Sequence, residues 1–282
     1  MIDNLSTGKP ANIPDAVRFI EMDISKEEDY EKLAELEFDA VLHLAAQSSG
    51  EISDEKPQLD LFVNALGTLL LLKWAKGRGI KRFLYASSMA VYGNPERVPV
   101  IETENCHPLS NYGITKLTGE NYVQHFFNNG MNTTIFRMFS VYGPGQNMEN
   151  LKQGMVSIFM AYLLKNEKII VKGSKDRFRD FIYIDDVVYA WLSVLDNPES
   201  FGKIYNLGTG IKTRVEELIA KEISAFGLDP NYPVVYEGTT PADQFGLYAD
   251  ISRIKCDLGW SPKFDLDRGL RIMSAWVKND VK

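Results

Sequence analysis

Tyr112 and Lys116 stand four residues apart in Tyr112-Gly113-Ile114-Thr115-Lys116. On a helix that spacing puts both side chains on one face. An ammonium beside a phenol favours the phenolate and lowers its pKa, which makes the tyrosine a usable proton acceptor near neutral pH. A Tyr-x-x-x-Lys pair is common by chance and alone reads most simply as a solvated surface pair. Its context adds chemistry. Arg82-Phe83-Leu84-Tyr85-Ala86 reads as a strand, and Ser87-Ser88-Met89-Ala90-Val91-Tyr92-Gly93 follows it. Small hydroxyl residues after a strand lie at the carboxyl edge of a sheet, where open α/β sheets bind ligands. Ser88, Tyr112 and Lys116 are the candidate catalytic set.

The elements that must position them alternate between strand-like and helix-like segments, which predicts a parallel α/β sheet. The period-two run Val17–Met22 predicts a strand, and Ser25 to Leu36 a helix capped by Ser25 with Glu28 three residues on. Ala40–Leu44 predicts a buried strand, Gln58 to Lys76 a long helix, Tyr112 to Phe127 a helix, and Thr133–Arg137 a strand. After Gly143-Pro144-Gly145 the rhythm changes. Helices are predicted over Met155–Lys165, Tyr183–Leu195, Val215–Phe226 and Leu266–Val277, with strands at Ile169–Val171 and Ile204–Leu207. This divides the chain into residues 1–145, to which 181–208 return, and residues 146–282.

With 282 residues, 45% hydrophobic, the chain can bury a substantial core. A net charge of -7 argues against nucleic acid and against anionic membrane as partners. No segment reaches the ~18–20 apolar residues of a membrane span. Met1-Ile2-Asp3-Asn4 lacks the basic and apolar regions of a secretory signal. Cys106 and Cys256 have neither disulfide nor metal-ligand spacing, and His43, His107 and His125 have no ligand partners, so no metal is expected. The expected compartment is the cytoplasm.

Ser88, Tyr112 and Lys116, in this order on these elements, resemble the catalytic trio of the extended short-chain dehydrogenases/reductases. The resemblance implies a Rossmann-like, doubly wound sheet with a smaller C-terminal substrate domain. It makes Ser88 a hydrogen-bonding partner, Tyr112 the acid/base, and Lys116 its activator and a ribose ligand. It also implies NAD, with Asp3 and Asn4 at the adenosine ribose and Asp23-Ile24 at the adenine. His43-Leu44-Ala45-Ala46-Gln47 is similar to the H-x-A-A-x loop beside the cofactor, which brings in Leu44, Ala45 and Ala46. Asn64-Ala65-Leu66-Gly67-Thr68 matches N-x-x-G-T, whose Asn64 belongs near the site. Arg179-Asp180-Phe181 through Val187 matches R-D-F-x-x-V-D-D-V, and Arg137 through Gly145 resembles R-x-F-N-x-x-G-P.

Sugar-nucleotide dehydratases of this type carry an acidic residue after the catalytic Ser/Thr, where this chain has Met89-Ala90. Without that carboxylate no obvious group protonates a leaving hydroxyl. The S-S-x-A-V-Y-G form is similar to UDP-glucose 4-epimerase-like members. The expected function is therefore NAD-dependent epimerisation of a nucleotide sugar, a UDP-sugar by resemblance. The substrate set is Ser88, Tyr112, Ser140, Arg179 and Asp243, with Arg179 on the diphosphate. Ser140 stands where such members hold Asn, and Thr240-Pro241-Ala242-Asp243 matches the stretch where a second arginine is usual just before a late Gly-Asp. The resemblance further implies a homodimer through the helices 58–76 and 112–127. The family's opening strand, G-x-x-G-x-x-G turn and helix would precede Asp3, so the expectation is an N-terminally truncated cofactor domain with a gap, or a direct pairing, between the strands 17–22 and 40–44. The glycines around Pro144 and Thr209 are read as turns, not replacements. The alternatives are a non-catalytic fragment or degenerate paralogue retaining the dimer interface, and a dehydratase or reductase.

Overall fold

The computed structural model describes residues 1–152, 154–238 and 244–280. The candidate Asp243, with Ala242, lies outside the described residues. Strands β1 (Ile2–Asp3) and β2 (Ile20–Glu21) pair in parallel. Strands β3 (Ala40–His43), β4 (Arg82–Ser88) and β5 (Asn132–Met138) follow, then β6 (Ser140–Tyr142), β7 (Ile169–Lys172), β8 (Phe178–Arg179), β9 (Phe181–Tyr183), β10 (Lys203–Leu207), β11 (Thr213–Arg214) and β12 (Val234–Glu237). The helices are α1 (Gly50–Glu55), α2 (Pro57–Asp60), α3 (Gly67–Gly77), α4 (Asn111–Asn128), α5 (Met155–Leu164), α6 (Ile184–Ser193), α7 (Val215–Phe226), α8 (Ser252–Leu258) and α9 (Leu266–Asp280).

The main sheet is parallel, in the order β10-β5-β4-β3. One face packs on α3 and α4 through Leu72, Ala75, Phe83, Tyr85, Val123 and Ile135. The other packs on α6 and the segment that leads into α8, through Phe136, Val187, Trp191, Tyr205, Ile254 and Trp260. A further core joins α5, α7 and α9 to β7 and β9. The doubly wound α/β class is the one expected. The chain re-enters the main sheet at β10, whereas β9 pairs with β6. Of the two arrangements expected at the first strands, the gap is observed: β1 and β2 bond to each other, and no backbone ladder joins them to β3 among the described residues.

Several local expectations change. Val17–Met22 shrinks to β2, with Val17 exposed. The helix expected from Ser25 becomes a 3₁₀ run over Glu27–Leu33, because the Ser25 hydroxyl donates to Asp23 instead of capping. The strand at 40–44 is not buried: Leu42 and Leu44 are exposed. The long helix of 58–76 is interrupted by a π-helical turn at Leu61–Leu66 between α2 and α3, a feature frequent where a helix serves a site. Helix α1 and strands β8, β11 and β12 carry no periodic signal and are found only in the structure.

Two of the buried acids, Glu120 and Glu222, show opposite ways of meeting the cost of burial. Glu120 on α4 receives a two-point bond from Arg137 on β5, at 2.9 and 2.7 Å, and a third from Ser87 at 2.5 Å. Both partners are nearly inaccessible, so removing one leaves an uncompensated buried charge. Arg137→Met should cost about 3–5 kcal/mol in urea unfolding, and adding Glu120→Leu should recover most of that loss. Glu222 lies on the apolar face of α7 with Leu218, Ile219 and Phe226, and neither oxygen has a hydrogen-bond partner among the described residues. Burial holds its pKa well above the usual 4.5, so it folds protonated. Above pH 4.5 the unfolded chain binds fewer protons here than the folded one, and stability falls as pH rises. Glu222→Leu should stabilise the protein by about 1–3 kcal/mol. The gain should be larger at pH 8 than at pH 4.5; an equal gain at both would contradict a protonated Glu222.

Candidate active site

Helix α4 begins at the Ser110 cap, whose hydroxyl accepts from Gly113 N–H at 3.1 Å. Its close approach to β4 is permitted by two glycines. A Cβ on Gly113 would meet Ala90 O at 2.6 Å, and one on Gly119 would meet the Tyr85 hydroxyl at 2.1 Å. This approach sets the start of α4 against the turn that follows Ser88. The Ser88 hydroxyl lies beside the Tyr112 phenol, where it favours the ionised form, and it accepts from Ala90 N–H at 3.2 Å.

Lys116 is buried, and its ammonium donates to Ala86 O at 2.9 Å, 5.1 Å from the Tyr85 ring centre and 5.9 Å from that of Tyr112. Burial lowers its pKa to about 7, while Asp60 and Glu120 raise it. The Tyr112 phenol is pushed up by burial, which Ser88 opposes, with Asp60 adding to the rise. One donor of the Lys116 ammonium goes to Ala86 O, which leaves two for other partners. His43 is held neutral, at about 3, by burial and then by Lys116, and its Nε2 lies 2.9 Å from the Thr68 hydroxyl.

The remaining candidates gather at the carboxyl ends of the strands. Asp3 ends β1 and accepts from Leu5 N–H at 2.7 Å. Asn4 donates to Asp23 at 3.5 Å, and Asp23 also accepts from Ser25, so these three form one group beyond β1 and β2. The Asp23 carboxyl sits below the usual carboxylate range: burial raises it, but the Ser25 and Asn4 hydrogen bonds outweigh that. Ile24 is buried against Gly67 at the head of α3. Leu44 and Ala45 extend from β3 into solvent. Asn64, in the π turn, exchanges bonds with the Gln47 backbone at 2.9 Å in both directions and donates to Thr115 at 3.3 Å.

A cavity of about 290 Å³ opens between the turn after Ser88 and the start of α4, with Met89, Ala90, Ser110, Arg179, Lys152 and Gln244 among its walls. Arg179 donates to Gln244 O and Phe178 O, each at 2.8 Å. Burial lowers its pKa to about 10, so it remains a cation at neutral pH. Ser140 is tied to this wall through its N–H, which donates to Asp180 O at 2.9 Å. Lys152 was not singled out by its sequence context, since its only signal is a charge in a polar loop; it pairs with Glu55 at 2.8 Å. The two aspartates of the R-D-F-x-x-V-D-D-V stretch serve as pins. Asp180 accepts from Thr209, Gly210 and Ala249, and Asp186 from Lys263 and Phe264.

The sequence profile of the NAD dependent epimerase/dehydratase family matches residues 1–208. A UDP-glucose 4-epimerase of Mycolicibacterium smegmatis is 31% identical over 285 residues, covering 99% of this chain and 90% of that protein. The crystal structure of a Thermotoga maritima UDP-glucose 4-epimerase with UDP-glucose superposes with a TM-score of 0.94 at 34% identity, covering 100% of this chain and 91% of the other. That of a Thermus thermophilus UDP-glucose 4-epimerase with NAD gives 0.92 at 30%, covering 99% and 91%. A mouse dTDP-D-glucose 4,6-dehydratase is 30% identical over 285 residues, covering 98% of this chain and 78% of that protein. With the trio's geometry, the sheet and these matches in agreement, the chain belongs to the NAD dependent epimerase/dehydratase family.

Proposed function

We propose that this protein is a UDP-glucose 4-epimerase that works through NAD, with Ser88, Tyr112 and Lys116 as its catalytic residues. The observation that carries the reading is the buried Lys116 ammonium 5.9 Å from the Tyr112 ring centre, beside a cavity that also holds the buried cation Arg179. The residues suit a dinucleotide. Asp3 keeps a second carboxylate oxygen free of its bond to Leu5, a ribose acceptor that favours NAD over its 2′-phosphorylated form. Asn4, Asp23 and Ile24 serve the adenosine end. The exposed Leu44 and Ala45, with Ala46, Asn64, Tyr112 and Lys116, line the path toward the nicotinamide end. When bound, NAD accepts a hydride from the sugar and returns it, so no net redox occurs.

The protein's own part is proton transfer and holding. Tyr112 takes the proton of the sugar hydroxyl at its phenolic oxygen and gives it back after the sugar has turned over. Ser88 steadies the oxygen where charge develops. Arg179 faces the diphosphate as a planar cation, with Ser140 and Asp243 completing the substrate set. Residues 1–145 with the returning segment 181–208 form the cofactor half, and the rest of 146–282 the sugar half. Dehydration is disfavoured because Met89-Ala90 offers no acid. The exposed side chains Leu61 (55%), Phe62 (53%) and Ile114 (50%) on the helices of 57–77 and 111–128 make a homodimer the favoured assembly. No helix among the described residues is long and apolar enough to cross a membrane. The free cysteines Cys106 and Cys256 suit the cytoplasm.

Incubated with NAD and UDP-glucose, the protein should form UDP-galactose, followed by anion-exchange chromatography. Tyr112→Phe should slow this by roughly 10²–10⁴-fold with UDP-glucose affinity retained. Turnover unchanged in that variant removes Tyr112 from its role, and a folded wild type that converts nothing favours the non-catalytic alternative. In sedimentation equilibrium the wild type should be a dimer and Leu61→Glu/Phe62→Glu a monomer; a monomeric wild type would overturn the assembly.

A further inference from the structure

One carboxylate at the site has no part in the proton transfer. Asp60, the last residue of α2, is fully buried. Among the described residues it has no salt-bridge partner, and its donors there are neutral: Ser53 Oγ to Oδ2 and Gln47 Nε2 to Oδ1, both at 2.5 Å. A buried carboxylate without a cation is costly, and the bonds around this one lead to a single place. Ser53 Oγ accepts from Tyr112 N–H at 2.7 Å. Gln47 N–H donates to Asn64 Oδ1 at 2.9 Å, Asn64 Nδ2 donates to Thr115 Oγ1 at 3.3 Å, and the Thr115 hydroxyl is shared between Asn111 O at 3.0 Å and Tyr112 O at 3.1 Å. The ring closes on the Tyr112 backbone from both sides, and Asp60 is its one charged member.

We propose that Asp60 is a positioning residue for the Tyr112–Lys116 pair, fixing the Tyr112 backbone through Ser53 and placing a buried negative charge at the head of the helix that bears both. The direction of the bonds follows from the carboxylate. It can only accept, so Ser53 must donate to it and keeps its own lone pairs for Tyr112 N–H. An amide at position 60 could donate to Ser53 and reverse that order.

The charges around Lys116 leave the electrostatic part to Asp60. From β3 comes His43, which is neutral. From β4 come the Tyr85 ring and the Ala86 carbonyl. On α4 itself Glu120 also favours the ammonium, but its charge is matched by Arg137 of β5. Asp60 is the larger of the two influences that oppose the burial of Lys116, and it raises the Tyr112 phenol as well. Removing its charge should lower both groups together and move the activity profile toward acid.

This inference rests on reading Tyr112 and Lys116 as the proton-transfer pair, so its test has a part that needs no turnover. In the full chain, ¹³C-labelled lysine is titrated by NMR, with Lys116 assigned by its loss in Lys116→Arg. The wild-type Lys116 midpoint, about 7, should fall by roughly one pH unit or more in Asp60→Asn. Ser53→Ala keeps the charge and breaks the ring, so its midpoint should stay where it is while kcat falls about tenfold or more with KM little changed. An unmoved midpoint in folded Asp60→Asn overturns the electrostatic role, and an unchanged kcat in Ser53→Ala overturns the ring. Should Asp60→Asn not fold, the Ser53→Ala kinetics decide alone. If the wild type shows no epimerisation, the functional reading fails and the lysine titration still decides the role of Asp60.

Discussion

The close approach of α4 to β4 is the constraint on which the site depends. Gly113 and Gly119 leave no room for a side chain between the helix and the Ala90 carbonyl or the Tyr85 hydroxyl. At that separation Lys116 cannot reach water, so its ammonium must find the Ala86 carbonyl. One turn on, Glu120 is buried by the same contact. It would be untenable as a lone charge, and Arg137 from the next strand supplies the two-point partner. The Lys116–Ala86 bond and the Glu120–Arg137 pair both follow from one helix lying against one strand.

The helical run before α4 carries the second constraint. An uninterrupted α-helix through 57–77 would keep every backbone bond in an α register. The π turn at Leu61–Leu66 departs from it where Asn64 must bond the Gln47 backbone on both sides. Asn64 thereby links the loop after β3 to α4 through Thr115. The loop that would border a dinucleotide and the helix that bears Tyr112 are thus joined by side-chain amides, whose geometry is stiffer than that of packed apolar groups.

The substrate wall is organised by carboxylates that take no part in chemistry. Asp180 collects three backbone N–H groups and the Thr209 hydroxyl, which folds the turn after β10 over it. That fixes the neighbouring Arg179, whose guanidinium is already held by carbonyls at 178 and 244. Asp186 does the same for the segment leading to α9. In a protein of net charge -7, a buried arginine held in this way is a local source of positive potential in the cavity wall.

The sequence by itself determined the fold class, the strands β4, β5 and β10 and the helices α4 and α7, through hydrophobic period and the alternation of strand-like and helix-like segments. The trio rests on a family resemblance, with only the Tyr112–Lys116 spacing a local property. The sequence did not determine how Lys116 acts. The i,i+4 spacing puts ammonium and phenol on one face, but only the tertiary contact with Ala86 decides where the ammonium points. Nor could it find Asp60, Ser53 or Lys152, since a carboxylate, a hydroxyl or an ammonium in a polar stretch reads as solvated surface. Burial by segments tens of residues away turns the first two into members of a closed ring. The same holds for Leu42 and Leu44, where an apolar run predicts a buried strand and the exposure depends on which strands lie beside it. Local pattern fixes what a segment is, whereas burial and charge depend on neighbours that the chain brings together only when folded.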